Sequence, residues 1–90
     1  MTDPVLRRVI EIVKQVAGPQ RTPAEVGPST LLAGGGFWLD SMELFEVILA
    51  CEAAFGSVFR GLDEDAARVL HTAGSLATAI RARTQARPRG

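Results

Sequence analysis

The run from Leu39 to Gly56 constrains the fold of this chain most strongly. Asp40 can cap a helix by accepting a hydrogen bond from a backbone N–H two or three residues later, and Glu43 completes a D-x-x-E capping box. Gly56 is a good helix stop. The pattern predicts a helix from about Ser41 to Phe55. Ser41 then lies beside unpaired N–H groups and the positive end of the helix dipole, a place that suits a covalently attached phosphate.

A helical wheel divides this helix into two halves, at about 100° per residue. The half predicted to face the core holds Leu44, Phe45, Val47, Ile48, Cys51, Ala54 and Phe55. The other half carries acids with apolar side chains between them: Glu43, Glu46, Glu52, Met42, Leu49 and Ala53. Exposed apolar residues bracketed by acids are typical of a docking surface for partner proteins. The alternative is a helix that is buried nearly all round.

Three further helices are predicted. Pro4, with Asp3 or Thr2 as its cap, begins the first helix, which ends at Gly18 and Pro19. A short third helix is predicted to begin at Asp63 and to bury Ala66, Val69 and Leu70. Thr72 caps the last helix, whose core residues are Leu76, Ala77 and Ile80. The sequence thus predicts one all-α domain over residues 1–84, with a frayed tail from Gln85 to Gly90.

Residues 18–39 form a long connection with five glycines and three prolines. Thr22 and Glu25 form a T-x-x-E capping box with Pro23 at the first helical position, which predicts about one helical turn. The predicted apolar anchors of the connection are Val26, Leu31 and Leu32. The run Gly34–Gly36 allows a sharp turn that would bring Phe37 and Trp38 onto apolar surface.

Composition excludes several classes of protein. The 90 residues contain ten basic and ten acidic side chains, which gives no reason to expect nucleic-acid or membrane binding. One cysteine and one histidine argue against an internal disulfide and against a dedicated Cys/His metal site. The longest uncharged stretch, Val26 to Leu39, is broken by Gly and Pro. A cytoplasmic monomer is expected.

The string from Gly35 to Gly56, with its Asp40-Ser41-Met42 motif, resembles the acyl carrier protein family. In that family an Asp-Ser-Leu/Met motif opens the second helix, and its serine carries 4′-phosphopantetheine. The resemblance covers the chain from Val5 to Ile80 and is most specific from Leu39 to Phe55. It implies a small four-helix bundle with a long first loop and a short third helix.

The resemblance also implies a function. A phosphopantetheinyl transferase would move the arm from coenzyme A to Ser41, and the arm's thiol would hold acyl groups as thioesters. The chain would be a freestanding carrier rather than an enzyme, serving acyl-loading, condensing or acyl-transferring partners of fatty-acid, polyketide or related secondary-metabolite biosynthesis. The implied docking residues are Met42, Glu43, Glu46, Leu49 and Glu52, and the implied acyl-pocket residues are Phe45, Ile48 and Leu49. Ala53 and Ala54 follow Glu52 where many family members carry further acids.

Three alternatives remain open at the level of sequence. A peptidyl or aryl carrier loaded by an adenylating enzyme ranks second, because its motif often has Gly-Gly before Asp or His, whereas Trp38 and Leu39 precede Asp40 here. An unmodified helical interaction domain would use Ser41 only as part of a helix start. A helix-turn-helix DNA-binding protein ranks last, because an acidic helix repels phosphate.

Overall fold

Four helices in the predicted order make up the fold. In a computed structural model, which describes residues 3–56 and 66–86, they are α1 (Pro4–Ala17), α2 (Ser41–Phe55), α3 (Ala66–Val69) and α4 (Ala73–Ala86). The described residues contain no strand, only one isolated bridge between two loop ends. The prediction of a small all-α domain of four helices is therefore confirmed at this level.

The helix starts follow the local signals in the sequence. Asp3 caps α1, its Oδ1 accepting from the backbone N–H of Val5 at 3.1 Å and of Leu6 at 3.2 Å. Its second carboxylate oxygen accepts from Arg81 of α4, so the same aspartate ties the start of the first helix to the last helix. At the start of α4, Thr72 and Ser75 exchange reciprocal bonds of 2.9 Å between side chain and backbone. These contacts satisfy N–H groups that a bare helix end leaves unpaired.

The core lies between α1 and its two neighbours. Helix α1 packs against both α2 and α4, and α3 packs against α4. The fully buried large side chains are Phe37, Leu32, Leu76, Ile80, Val9, Val13, Val47 and Cys51. The predicted inward positions of Leu76, Ala77, Ile80 and Cys51 are confirmed.

The long connection carries no helical turn, so the prediction of one at Thr22 was wrong. The hydroxyl of Thr22 donates to the carbonyl of Gly18 at 2.8 Å, and Gly27 and Pro28 follow too soon for a helix to extend. Tertiary anchoring holds this connection instead. Leu32 is fully buried and Val26 packs against the core, as predicted.

Backbone hydrogen bonds join the connection to the start of α4. The Leu32 N–H donates to the carbonyl of His71 at 3.1 Å, and the Ala73 N–H donates to that of Thr30 at 3.0 Å. The Gly74 N–H donates to the carbonyl of Pro28 at 2.7 Å. The connection therefore supplies acceptors for the first N–H groups of α4, which is why an irregular segment of this length is ordered.

A tight turn at the glycine run leads into α2. Gly35 has a φ of +88°, and a Cβ on Gly36 would collide with the carbonyl oxygen of Leu31. The Phe37 N–H donates to that same carbonyl at 3.0 Å, and its ring is fully buried. The prediction that both aromatic residues pack on apolar surface is correct for Phe37 and wrong for Trp38, whose side chain is exposed.

The last two predicted segments are described in part. Helix α3 is short and buries Val69, as predicted, whereas Ala66 and Leu70 are only half-buried. Its predicted start at Asp63 lies outside the described residues. Helix α4 runs to Ala86, so Gln85 and Ala86 belong to a helix and not to the predicted tail. Residues 87–90 lie outside the described part of the chain.

Candidate functional site

The first turn of α2 is built around Asp40. Its Oδ1 accepts from the Glu43 N–H at 2.8 Å, and Oε1 of Glu43 accepts from the Asp40 N–H at 3.1 Å. This is the predicted capping box. Ser41 is the first residue of the helix, and its side chain is exposed. Ser41 is therefore accessible at the surface of the fold.

Arg21 fastens this turn to the connection. Its Nη1 donates to Oε1 of Glu43 at 2.7 Å, and its Nη2 donates to Oε2 of the same carboxylate. The guanidinium also donates to the carbonyl of Trp38 at 3.3 Å and, through Nε, to that of Ala17 at 3.1 Å. The hydrogen bond from Arg21, with one from the Asp40 backbone, holds the pKa of Glu43 at about 2. Glu43 is thus ionised and engaged within its own chain.

Four large apolar side chains are exposed beside Ser41. They are Trp38, Met42, Phe45 and Leu49, with exposed fractions of 63%, 72%, 56% and 51%. Their spacing of four, three and four residues places Met42, Phe45 and Leu49 on one face of α2, with Trp38 just before it. We call these four residues the exposed stripe. The alternative that α2 is buried nearly all round is therefore wrong.

The acids beside the stripe differ in their surroundings. Glu46 is exposed and Glu52 is half-buried. On the wheel they flank the stripe on opposite sides, and neither makes a salt bridge within the described chain. Glu43 is paired with Arg21 and is the least available of the three. Two of the three predicted docking acids are thus free to face a partner.

Phe45 corrects the predicted inward face of α2. The wheel assigned Phe45 and Ala54 to the core half, but both are exposed. The buried arc is centred instead on Val47 and Cys51. The helix itself carries apolar residues on nearly every face, so hydropathy alone does not determine which of these residues turn inward.

A cleft of about 410 Å³ opens on another side of α2. Its described lining comes from the connection, α2 and the segment around α3, and consists of Leu31, Ala33, Gly34, Leu44, Ala66, Ala67, Leu70 and His71. This lining does not include the three predicted acyl-pocket residues Phe45, Ile48 and Leu49. Ile48 packs against the core, whereas Phe45 and Leu49 belong to the exposed stripe.

Sequence reasoning missed two residues of this site. Arg21 escaped notice because its partner Glu43 lies 22 positions away, although it is the last basic residue before a long stretch without any. Trp38 was expected to pack inward. Its φ of +58° is unusual for a bulky residue, and no sequence pattern signals such a conformation.

The other reactive side chains in the described part of the chain form no candidate metal site. The described residues contain no group of three or more His, Cys, Asp or Glu that could hold a metal ion. Cys51 is fully buried, and burial raises the pKa of its thiol to about 11, so it is an inert core residue as predicted. No helix in the described part of the chain is long and apolar enough to cross a bilayer.

Comparisons with known proteins do not assign this chain to a family. No protein-family model matches the chain, and no match was found among curated proteins or among solved structures.

Proposed function

We propose that this chain is an acyl carrier protein whose Ser41 carries a 4′-phosphopantetheine arm. The observation that carries the proposal is the exposed Ser41 hydroxyl at the first position of α2, directly after the Asp40 cap. A phosphodiester on this oxygen would extend into solvent, beside the N-terminal end of a fifteen-residue helix whose dipole favours negative charge. The residues present therefore fit the group.

The arm would supply the thiol that forms thioesters with acyl groups. The protein's own residues would hold the attachment point and present it to partners: Asp40 and Glu43 fix the first turn, and Arg21 fastens that turn to the connection. No described side chain other than Ser41 takes part in a covalent step in this proposal. The protein is then a shuttle, and its partner enzymes perform the catalysis.

The acyl chain has a candidate resting place in the cleft beside Leu44. Its lining is mostly apolar, and the small residues Ala33, Gly34 and Ala67 leave room in the cleft. We expect forms that carry longer acyl chains to melt at higher temperature than short-chain forms, because ligand binding to the folded state stabilises it. Equal melting temperatures for both, with unchanged chemical shifts at Leu44, would show that the cargo stays in solvent.

The deciding experiment is intact-mass spectrometry after incubation with coenzyme A and a broad-specificity phosphopantetheinyl transferase. The wild-type chain should gain the mass of one arm, and Ser41→Ala should gain none. Ser29→Ala is the matched control, because Ser29 is also exposed but lies in the connection, and it should be loaded as the wild type is. Loading of Ser41→Ala would disprove the assignment. A wild-type chain that is never loaded would favour an unmodified helical interaction domain.

A further inference from the structure

Trp38 is the least expected residue of the exposed stripe. It adopts the left-handed backbone region at φ +58°, which is unfavourable for a residue with a Cβ relative to the right-handed region. Its indole is nevertheless 63% exposed, so burial does not compensate for that cost. Strained backbone that packing does not explain is characteristic of functional positions.

The surroundings of Trp38 position its ring rather than bury it. Its backbone N–H donates to the carbonyl of Ala33 at 3.0 Å, and its own carbonyl accepts from Arg21 at 3.3 Å. The ring lies over Gly34, where an added Cβ would come within 3.4 Å of Cζ3. The indole is thereby held over Gly34, three residues before Ser41.

Charge indicates what could cover the stripe. Glu46 and Glu52 flank it on opposite sides and make no salt bridge within the described chain, and Asp40 is exposed at the end nearest Ser41. An apolar strip rimmed by acids is complementary to an apolar cleft rimmed by arginine or lysine. Trp38 and Ser41 are both exposed and lie three residues apart, so a partner that covers this end of the stripe would approach both.

We propose that Trp38 is an anchor residue for the enzyme that modifies Ser41, inserting into an apolar cleft with a basic rim while Met42, Phe45 and Leu49 complete the contact. The inference rests on the proposed function and adds a residue that contributes to the binding of that enzyme. Aromatic side chains dominate the binding energy of protein interfaces when a pocket encloses them. The exposed indole would then contribute binding energy in the complex, although the Trp38 backbone conformation is unfavourable in the free chain.

The left-handed backbone makes a clean test possible. Glycine accepts φ +58° without strain, so Trp38→Gly removes the indole without disturbing the fold, and its melting temperature should equal or exceed that of the wild type. Trp38→Phe keeps an aromatic ring, and Gln15→Ala changes an exposed residue of α1 as a matched control. The measurement is KM and kcat for arm transfer from coenzyme A by a broad-specificity phosphopantetheinyl transferase.

We expect Trp38→Gly to raise KM for the carrier by roughly tenfold or more, with Trp38→Phe and Gln15→Ala close to the wild type. Transfer with an unchanged KM for Trp38→Gly would overturn this inference alone. Absence of transfer to the wild-type chain would overturn the proposed function and this inference with it. A wild-type chain that sediments as a dimer, with Trp38→Gly a monomer, would make a second copy the occupant of the stripe.

Discussion

Arg21 and Glu43 form a bidentate ion pair that joins the connection after α1 to the first turn of α2. Both terminal nitrogens of the guanidinium donate to the two carboxylate oxygens, and one of those oxygens also accepts from the Asp40 N–H. The same carboxylate therefore completes the helix cap and holds the connection in place. This double engagement makes Glu43 a structural residue of the helix start.

The ion pair predicts a specific dependence of stability on pH. The pKa of Glu43 is about 2 in the folded chain and 4.5 ordinarily, so its contribution is complete above pH 4.5 and is lost as the pH falls toward 2. Arg21→Gln should lower the free energy of unfolding most near neutral pH, and the difference from the wild type should narrow through this window. Urea unfolding of both proteins across the acid range measures it.

The matched control for that experiment is Arg8→Gln. Arg8 pairs with Glu11 at 3.3 Å on an exposed face of α1, where solvent screening leaves little net contribution. We expect this variant to unfold as the wild type does at every pH. An Arg21→Gln deficit that stayed constant down to the lowest pH would show that lost packing, rather than charge, is responsible.

The glycine turn gives a second prediction. A Cβ on Gly36 would collide with the Leu31 carbonyl oxygen, which is the acceptor for the Phe37 N–H. Gly36→Ala should therefore destabilise the fold by more than about 2 kcal/mol. Gly27→Ala is the control, since a Cβ there meets no atom within 4 Å, and it should be neutral or stabilising by up to about 1 kcal/mol. Similar denaturation midpoints for the two variants would contradict the turn geometry.

The free acids of α2 give a third prediction. Glu46→Gln combined with Glu52→Gln should slow association with a modifying enzyme and weaken its salt dependence, because exposed acids act mainly through electrostatic steering. Glu43→Gln removes the same single charge and leaves Arg21 unpaired, so we expect it to slow association by about as much as a single substitution at Glu46 or Glu52. Glu25→Gln, an exposed acid in the connection, serves as control. Stopped-flow measurements of the association rate at two salt concentrations would distinguish these cases. Equal association rates for all variants would show that these acids do not steer the partner.

Met42 provides a fourth prediction about the same complex. Its side chain is the most exposed of the stripe, so Met42→Ala should leave the melting temperature unchanged. Burying an aliphatic side chain at an interface contributes about 1.5–3 kcal/mol, which should appear chiefly as faster dissociation. Val47→Ala, a change on the buried face of the same helix, should do the reverse and lower stability. Unchanged dissociation of the Met42→Ala complex would exclude Met42 from the contact.

The starts of α1 and α2 were predictable because the sequence signals for a helix start are local. Asp3 and Pro4 begin α1, and Asp40 with Glu43 begins α2, each through contacts within a few residues. The position of Ser41 followed directly from the second pair. The same type of capping box was predicted at Thr22 but does not begin a helix. The Thr22 hydroxyl donates back to the carbonyl of Gly18, and Gly27 and Pro28 follow soon after.

The rest of the site depends on contacts between distant residues. A helical wheel does not determine the orientation of α2, because that helix carries apolar residues on nearly every face. Packing against α1 decides that Val47 turns inward and Phe45 outward. Arg21 reaches Glu43 only after the connection has folded over the helix start. The Trp38 conformation depends on Ala33 and Arg21 together, and neither contact can be read from neighbouring residues.

The hydrogen bonds between the connection and the start of α4 also determine when the connection can fold during synthesis. The carbonyls of Pro28 and Thr30 need the N–H groups of Gly74 and Ala73 as partners, and Leu32 needs the carbonyl of His71. A nascent chain that ends before His71 lacks every one of these bonds. The segment leading to Ser41 therefore completes its backbone hydrogen bonds only after most of the chain has been synthesised.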